Sequence, residues 1–345
     1  MSLSIEHGGS VLPSVTVDAY NAELRDANGF TGDRASKRAF EGLLDELRER
    51  LAKSGDDPLG NRPTEQLDKE AVDKLLAEGS PAQAGVIHTA VEEFAGEFAA
   101  VIRRFLKLKA WRDTQRIVVG GGMRGSRVGE LAIGRTEVML RSDGVEIELM
   151  PIRHDPDEAG LLGGPHLAPS WIFKGHDSIL ALDIGGTNAR AGLVELNLKR
   201  AGDLSKAEVV ANELWRHRDE KPGREAAVER ILGMVQGLIK RAGKRQMSLA
   251  PFIAVGCPGL IAPDGSIERG GQNLPGNWES DRFNLPERLR EAIPRIGEHE
   301  THVAMHNDAV VQGLSEVPFM QDVERWGVMT IGTGLGNARF TNRRE

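Results

Sequence analysis

The stretch SILALDIGGTNARAGLVEL, Ser178–Leu196, sets two apolar runs on either side of Asp183-Ile184-Gly185-Gly186-Thr187-Asn188. Two strands joined by a tight Gly-Gly turn are its simplest reading. With no Cβ at 185 and 186, backbone N–H groups can face outward and form a concavity for an anion. Thr187 and Asn188 add side-chain donors. Asp183 stands where a Mg²⁺–water cluster accompanying phosphates needs a carboxylate. A plain hairpin with turn glycines has the same local pattern, and recurrence separates the two. MTIGTGLGNARF (329–340) again runs strand, Gly332-Thr333-Gly334-Leu335-Gly336, strand. A third cluster, Gly120-Gly121-Gly122, ends the strand RIVV ahead of a helix, where backbone can approach an adenosine.

A chain of 345 residues allows two lobes with sizeable cores. Charged residues at 28% and hydrophobic ones at 40% describe an ordinary globular protein. The net charge of −7 offers no basic face, so no nucleic-acid partner is expected. Cys257 stands alone, which excludes an internal disulfide and a multi-thiolate metal site and suits a reducing cytoplasm. No signal-peptide pattern opens the chain and no apolar run approaches ~18 residues, so no membrane partner is expected.

Apolar spacing predicts helices over 33–53 and 64–77, then a long one from Ser80-Pro81 to about Lys109. Residues 1–110 thus read as acidic helices. Strands at 116–119 and 145–152 and a short helix at 157–163 follow, with 165–177 as a connector. The second half adds a strand at 207–215, a helix at 224–243, the strand LAPFIAVGCPG (249–259) and a loop-rich segment at 262–284. A helix at 286–293, the strand THVAMHND (301–308), the helix AVVQGLSEV (309–317) and a last hairpin close it. Such a mixture argues an α/β protein with part-antiparallel sheets. His306, Asn307 and Asp308 fall at a strand end and helix start. There Asp308 either caps the helix or serves as general base for a hydroxyl, with Asn307 bonding the same substrate.

Taken together, DIGGTN, GCPG (256–259), NLPGNW (273–278), HNDA (306–309), IGTGLG (331–336), VVGGG (118–122) and DEAGLLGG (157–164) make the chain resemble the ROK family of repressors and sugar kinases and its glucokinase relatives. The resemblance implies an α/β, bilobal actin-like ATPase (ribonuclease H-like) fold, with two lobes around a nucleotide and sugar cleft. It implies ATP and Mg as cofactors and a small-molecule hexose, glucose by default, as acceptor. Asp308 becomes the catalytic base, and Asn307, Asn273 and Gly259 sugar contacts. Gly185, Gly186, Thr187, Asn188, Gly332, Thr333, Gly334, Gly120, Gly121 and Gly122 hold the nucleotide, and Asp183 holds Mg through water. The family's Glu and His sugar ligands fall near Glu6 and His7, at a spacing that does not match. Its zinc site needs several cysteines, so no zinc site is expected here. Family members are often homodimers.

The order of the motifs departs from the family, in which the DIGGT turn opens the chain and the GGG segment lies near its end. A circular permutation accounts for this. Residues 1–164 correspond to the C-terminal lobe, completed by about 318–345. Residues 165–177 connect, and 178–317 carry the first phosphate turn and the catalytic Asp. Some relatives use polyphosphate as donor, and family repressors sense sugar through this fold without catalysis. Such repressors carry an N-terminal helix-turn-helix, and residues 1–110 show no basic recognition helix. A kinase is expected.

Overall fold

In a computed structural model of the chain, residues 6–27, 29–280 and 282–343 are described. Along the chain come β1 (Val15–Tyr20), α1 (Lys37–Ser54), α2 (Lys69–Glu78), α3 (Pro81–Leu106), β2 (Arg116–Gly120), α4 (Arg127–Ser142), β3 (Glu148–Pro151) and α5 (Pro156–Leu162). β4 (Ser178–Ile184), β5 (Ala189–Glu195), β6 (Glu208–Trp215), α6 (Arg224–Lys244), β7 (Leu249–Cys257) and α7 (Leu285–Ala292) follow. β8 (His302–Asn307), α8 (Asp308–Leu314), β9 (Arg325–Ile331) and β10 (Leu335–Asn342) complete the order. The chain is a mixed α/β protein. No helix among the described residues is long and apolar enough to cross a membrane.

The long helix α3 starts where its sequence dictates. Ser80 Oγ accepts the Gln83 N–H, the Gln83 side chain accepts the Ser80 N–H, and Pro81 fills the first turn. Ile87, Val91, Phe94, Phe98, Ile102 and Phe105 are all buried along one stripe. The expectation of helices throughout 1–110 is corrected by β1. Its VTVDAY alternates with period two, Val15 and Val17 are buried, and it pairs antiparallel with β10.

Two compact units divide the chain. The first comprises residues up to Asn21, Asp157–Glu324 and the chain from Ala338 on. Its sheet has the order β8-β7-β4-β5-β6. β8, β7 and β4 run parallel, and β5 and β6 alternate antiparallel beyond them. β4 is buried at every position, which its unbroken apolar sequence foretells. Ala227, Val228, Ile231, Met234 and Leu238 of α6 belong to one core cluster with Leu180, Leu182, Ile253 and Val255 of the sheet. DEAGLLGG packs closely through its small residues. A Cβ added at Gly163 would meet the Val311 carbonyl at 1.7 Å, and one at Gly164 would meet Ala254 Cβ at 2.7 Å.

The second unit comprises Ala22–Pro156 and Arg325–Asn337. β9 lies parallel to β2, from Trp326 opposite Arg116 to Thr330 opposite Gly120, and β2 parallel to β3. Met329 and Ile331, from near the chain's end, share a core with Phe94, Phe98, Phe105 and Val119. The strand at 116–120 therefore shares its sheet with the strand at 325–331. The boundaries differ from those expected. Residues 157–164, 318–324 and those before Ala22 group with β4 rather than with 22–156, because their contacts are made there.

Candidate active site

Three parallel strands of the first unit end together. Asp183 is in register with Gly256, and Cys257 with Asn307. In open α/β sheets the carboxyl ends of the strands are where ligands gather. A Cβ added at Gly256 would lie 3.6 Å from Asp183 Oδ1 and 3.6 Å from Asp308 Cα, so the two acids flank this glycine. Asp183 is buried at 4% exposure, whereas Asp308 is half-buried and keeps a face to solvent. Burial, and then the charge of Asp183, raise the Asp308 carboxyl to about 7. Asp183 is itself raised by burial, against the pull of the Arg190 guanidinium. Cys257 is a fully buried thiol pushed up by burial, a packed residue and not a nucleophile.

The helix cap at this strand end is Asn307, not Asp308. Asn307 Oδ1 accepts the Ala309 and Val310 N–H groups at 3.0 and 3.4 Å, and its Nδ2 donates to the Gly259 carbonyl at 3.0 Å. Asn307 is 2% exposed. These bonds cap α8 and position Asp308 and Gly259. Capping no longer accounts for Asp308, which sits in the first turn with its carboxyl beside Asp183.

The Gly185–Asn188 turn presents its carbonyls to one neighbour. Gly185 O bonds His217 Nε2 at 2.9 Å, and Thr187 O accepts the Arg218 N–H at 3.2 Å. The Gly185 amide closes the hairpin on Asn188 O at 2.8 Å. Asn188 Oδ1 is buried and has no hydrogen-bond partner among the described residues. A Cβ at Gly186 would sit 2.8 Å from Asn273 Cβ, so NLPGNW lies directly against the turn, with Asn273 itself exposed. Gly259, with φ +104°, backs onto the Arg269 carbonyl, 2.6 Å from a would-be Cβ.

The segment before β1 grips β8. The Gly8 N–H donates to Met305 O at 2.9 Å, His7 Nδ1 accepts the Met305 N–H at 3.1 Å, and His306 Nε2 bonds Gly9 O at 3.2 Å. The Tyr20 ring stands edge-on to His306 at 4.9 Å. Burial lowers both His7 and His306 to about 4. His7 is 4% exposed, so one of its two nitrogens clamps the strand next to the acid pair; Glu6 is exposed.

In the second unit, β9 and β2 end in the other two glycine clusters. Gly121 has φ +87°, and a Cβ there would meet Ile331 O at 2.3 Å, so the GGG turn lies against the residue that precedes Gly332. The Gly332 carbonyl accepts the Lys37 N–H from the start of α1 at 2.9 Å. The Gly185 and Gly332 carbonyls are thus both drawn away from their turns. Thr333 and Gly334 follow in the loop to β10.

Asp183 is the carboxylate that would hold, through water, a divalent cation arriving with phosphates, since a phosphate-bound Mg²⁺ asks for only one or two carboxylates. Among the described residues no group of three or more His, Cys, Asp or Glu side chains forms a metal cage. Arg190, Gly160 and the His7–Met305 clamp escaped the sequence reading. Arg190 was the accessible one, since a hairpin turning at 185–188 puts it opposite Asp183.

No family model and no curated protein matches the chain. Among solved structures, it is similar to a protein from Cytophaga hutchinsonii provisionally described as a sugar kinase, at 22% identity and a TM-score of 0.33. That match covers 48% of this chain and 48% of the other, so it spans about half of each.

Proposed function

We propose that this chain is a circularly permuted ROK-type sugar kinase that transfers the terminal phosphoryl group of ATP to a hexose hydroxyl, with glucose the first acceptor to test. The observation that carries this is Asp308: a half-buried carboxyl held at about 7 beside a second carboxylate, at the end of parallel strands. A base that takes a hydroxyl proton works best with a pKa near the working pH. The Gly185–Asn188 turn beside it, carbonyls averted, supports phosphate binding. The glycine turns at 120–122 and 332–336 carry the nucleotide part of the proposal.

In this mechanism the sugar hydroxyl attacks the terminal phosphorus in line. The new O–P bond forms as the bond to the ADP oxygen breaks, and the hydroxyl proton passes to Asp308. Amides of the turn, with Thr187 and Asn188, receive the phosphate oxygens. Mg²⁺, held through water by Asp183, supplies charge neutralisation when bound. Asn273, exposed against the turn, joins Asn307 as a sugar contact in this reading, and Gly259 shapes the loop behind it.

The permutation draws support from two contacts. Helix α5, just before β4 in the chain, is built into the β4 sheet, and β9 is built into the sheet of β2. A coupled assay of the purified protein against a panel of hexoses, with ATP and polyphosphate compared, tests the proposal. Turnover of a hexose with ATP supports it. No phosphoryl transfer to any sugar from either donor would overturn it.

A further inference from the structure

Arg190 faces Asp183 in the β4–β5 ladder, just beyond the phosphate-type turn. Its guanidinium reaches two carboxylates. One arm donates to Asp157 Oδ1 in the first turn of α5, and the other lies 3.7 Å from Asp183 Oδ2. The three side chains grade from surface to interior, at 63% exposure for Asp157, 17% for Arg190 and 6% for Asp183. The same helix touches the site twice more. A Cβ added at Gly160 would lie 2.5 Å from Asp183 Cγ, and Leu161 Cδ1 is 2.6 Å from where a Gly192 Cβ would be. Helix, hairpin and carboxylate thus meet within one turn of α5. A buried carboxylate needs such a partner, because an unpaired charge out of water costs several kcal/mol and drives the group to move or to neutralise.

We propose that Arg190 is a positioning residue: by bridging Asp157 and Asp183 it fixes the Asp183 carboxylate at the strand ends and ties α5 to the phosphate turn. This rests on the kinase function proposed above for its catalytic consequence, but not for its structural one. The planar, two-armed guanidinium suits the bridge, and a lysine ammonium would serve as one point charge. Asp157 lies 151 residues before Asp308 in no recognisable pattern with it; the fold alone brings it to the acid site, through Arg190 and Asp183.

Hydrogen exchange and kinetics on Arg190→Gln, Arg190→Lys, Asp157→Asn and Arg190→Gln/Asp157→Asn test it. In Arg190→Gln the amides of 157–162 and of 183–188 should both exchange about tenfold faster or more, while β7 and β8 keep wild-type protection. The kcat should fall about 10–10²-fold, the scale of a misplaced reacting group, with the sugar KM within about twofold. Arg190→Lys should recover part of that loss. Asp157→Asn alone should loosen the same two segments less, and adding it to Arg190→Gln should change nothing further. Wild-type exchange at either segment, additive effects of the two substitutions, or an intact kcat in an active enzyme would overturn the proposal. Should the wild-type protein phosphorylate no sugar, the kinase proposal fails and the exchange data decide this one alone.

Discussion

Replacing Asp308 with Asn removes a charge and leaves the shape nearly unchanged, so activity and stability should move in opposite directions. The carboxyl is raised from 3.8 to about 7 in the folded protein. About three pH units at 1.36 kcal/mol each set a ceiling of ~4 kcal/mol on what its ionised form costs the fold. Asp308 is half-buried and its proton is coupled to Asp183, so about 1–2 kcal/mol is the reasonable expectation. The sign follows from which state binds the proton more tightly. Between pH ~4 and ~7 the folded chain holds a proton that the unfolded chain releases, so wild-type stability falls as pH rises through that window. Asn carries no such cost. At pH 8 Asp308→Asn should therefore melt about 1–3 °C higher than wild type, and near pH 4 the gain should vanish. Its kcat for the sugar should fall by about 10²–10⁴, the usual scale for losing a general base. Calorimetry at the two pH values and initial rates at saturating ATP measure both. A kcat within a few-fold of wild type would refute the base, and a lower melting temperature at pH 8 would refute the charge crowding.

Gly186→Val puts a branched side chain where even a Cβ lies 2.8 Å from Asn273. It should raise the ATP KM at least tenfold or abolish turnover, as steady-state kinetics would show. Gly160→Ala drives a methyl to 2.5 Å from Asp183 Cγ; it should displace that carboxylate and lower kcat more than it lowers the melting temperature, on the 10²-fold scale of a misplaced group. His7 and His306 are lowered to about 4, so the folded chain refuses protons that the unfolded chain accepts below about 6.5. Their contribution is present above pH 6.5 and lost as pH falls towards 4, opposite in sign to that of Asp308. Urea unfolding from pH 7 to pH 4 should thus show a steeper decline in Asp308→Asn than in wild type.

Much of the fold is written in local pattern. The four long apolar strands β4, β5, β7 and β9 and the capped stripe of α3 each follow from one short window of residues, and the glycine turns mark their ends. The site is legible only in part. Asn307 and Asp308 are adjacent and both cap helices well, so nothing in the sequence says which one does. Nothing in the sequence joins His7 to Met305, 298 residues away, whose N–H it accepts in the fold. Gly160 has no reason to be glycine until Asp183 lies against it. β1 is short and carries Asp18 and Tyr20 among helical neighbours, so its alternation is outweighed by them.

The hydrogen bonds from His7, Gly8 and Gly9 fall on β8, the terminal strand of its sheet. An unprotected outer strand offers its N–H and C=O groups to any chain that passes. Here His7 Nδ1 and the Gly8 N–H occupy the N–H and C=O of Met305, and Gly9 O holds the His306 side chain beside them. Removing residues 6–9 would spare the Asp183–Asp308 pair and the three glycine turns while uncovering that strand. The first symptom of such a cut should be self-association, edge to edge through β8, seen by light scattering before any unfolding. Residues 7–9 thus close the outer edge of β8 at Met305 and His306.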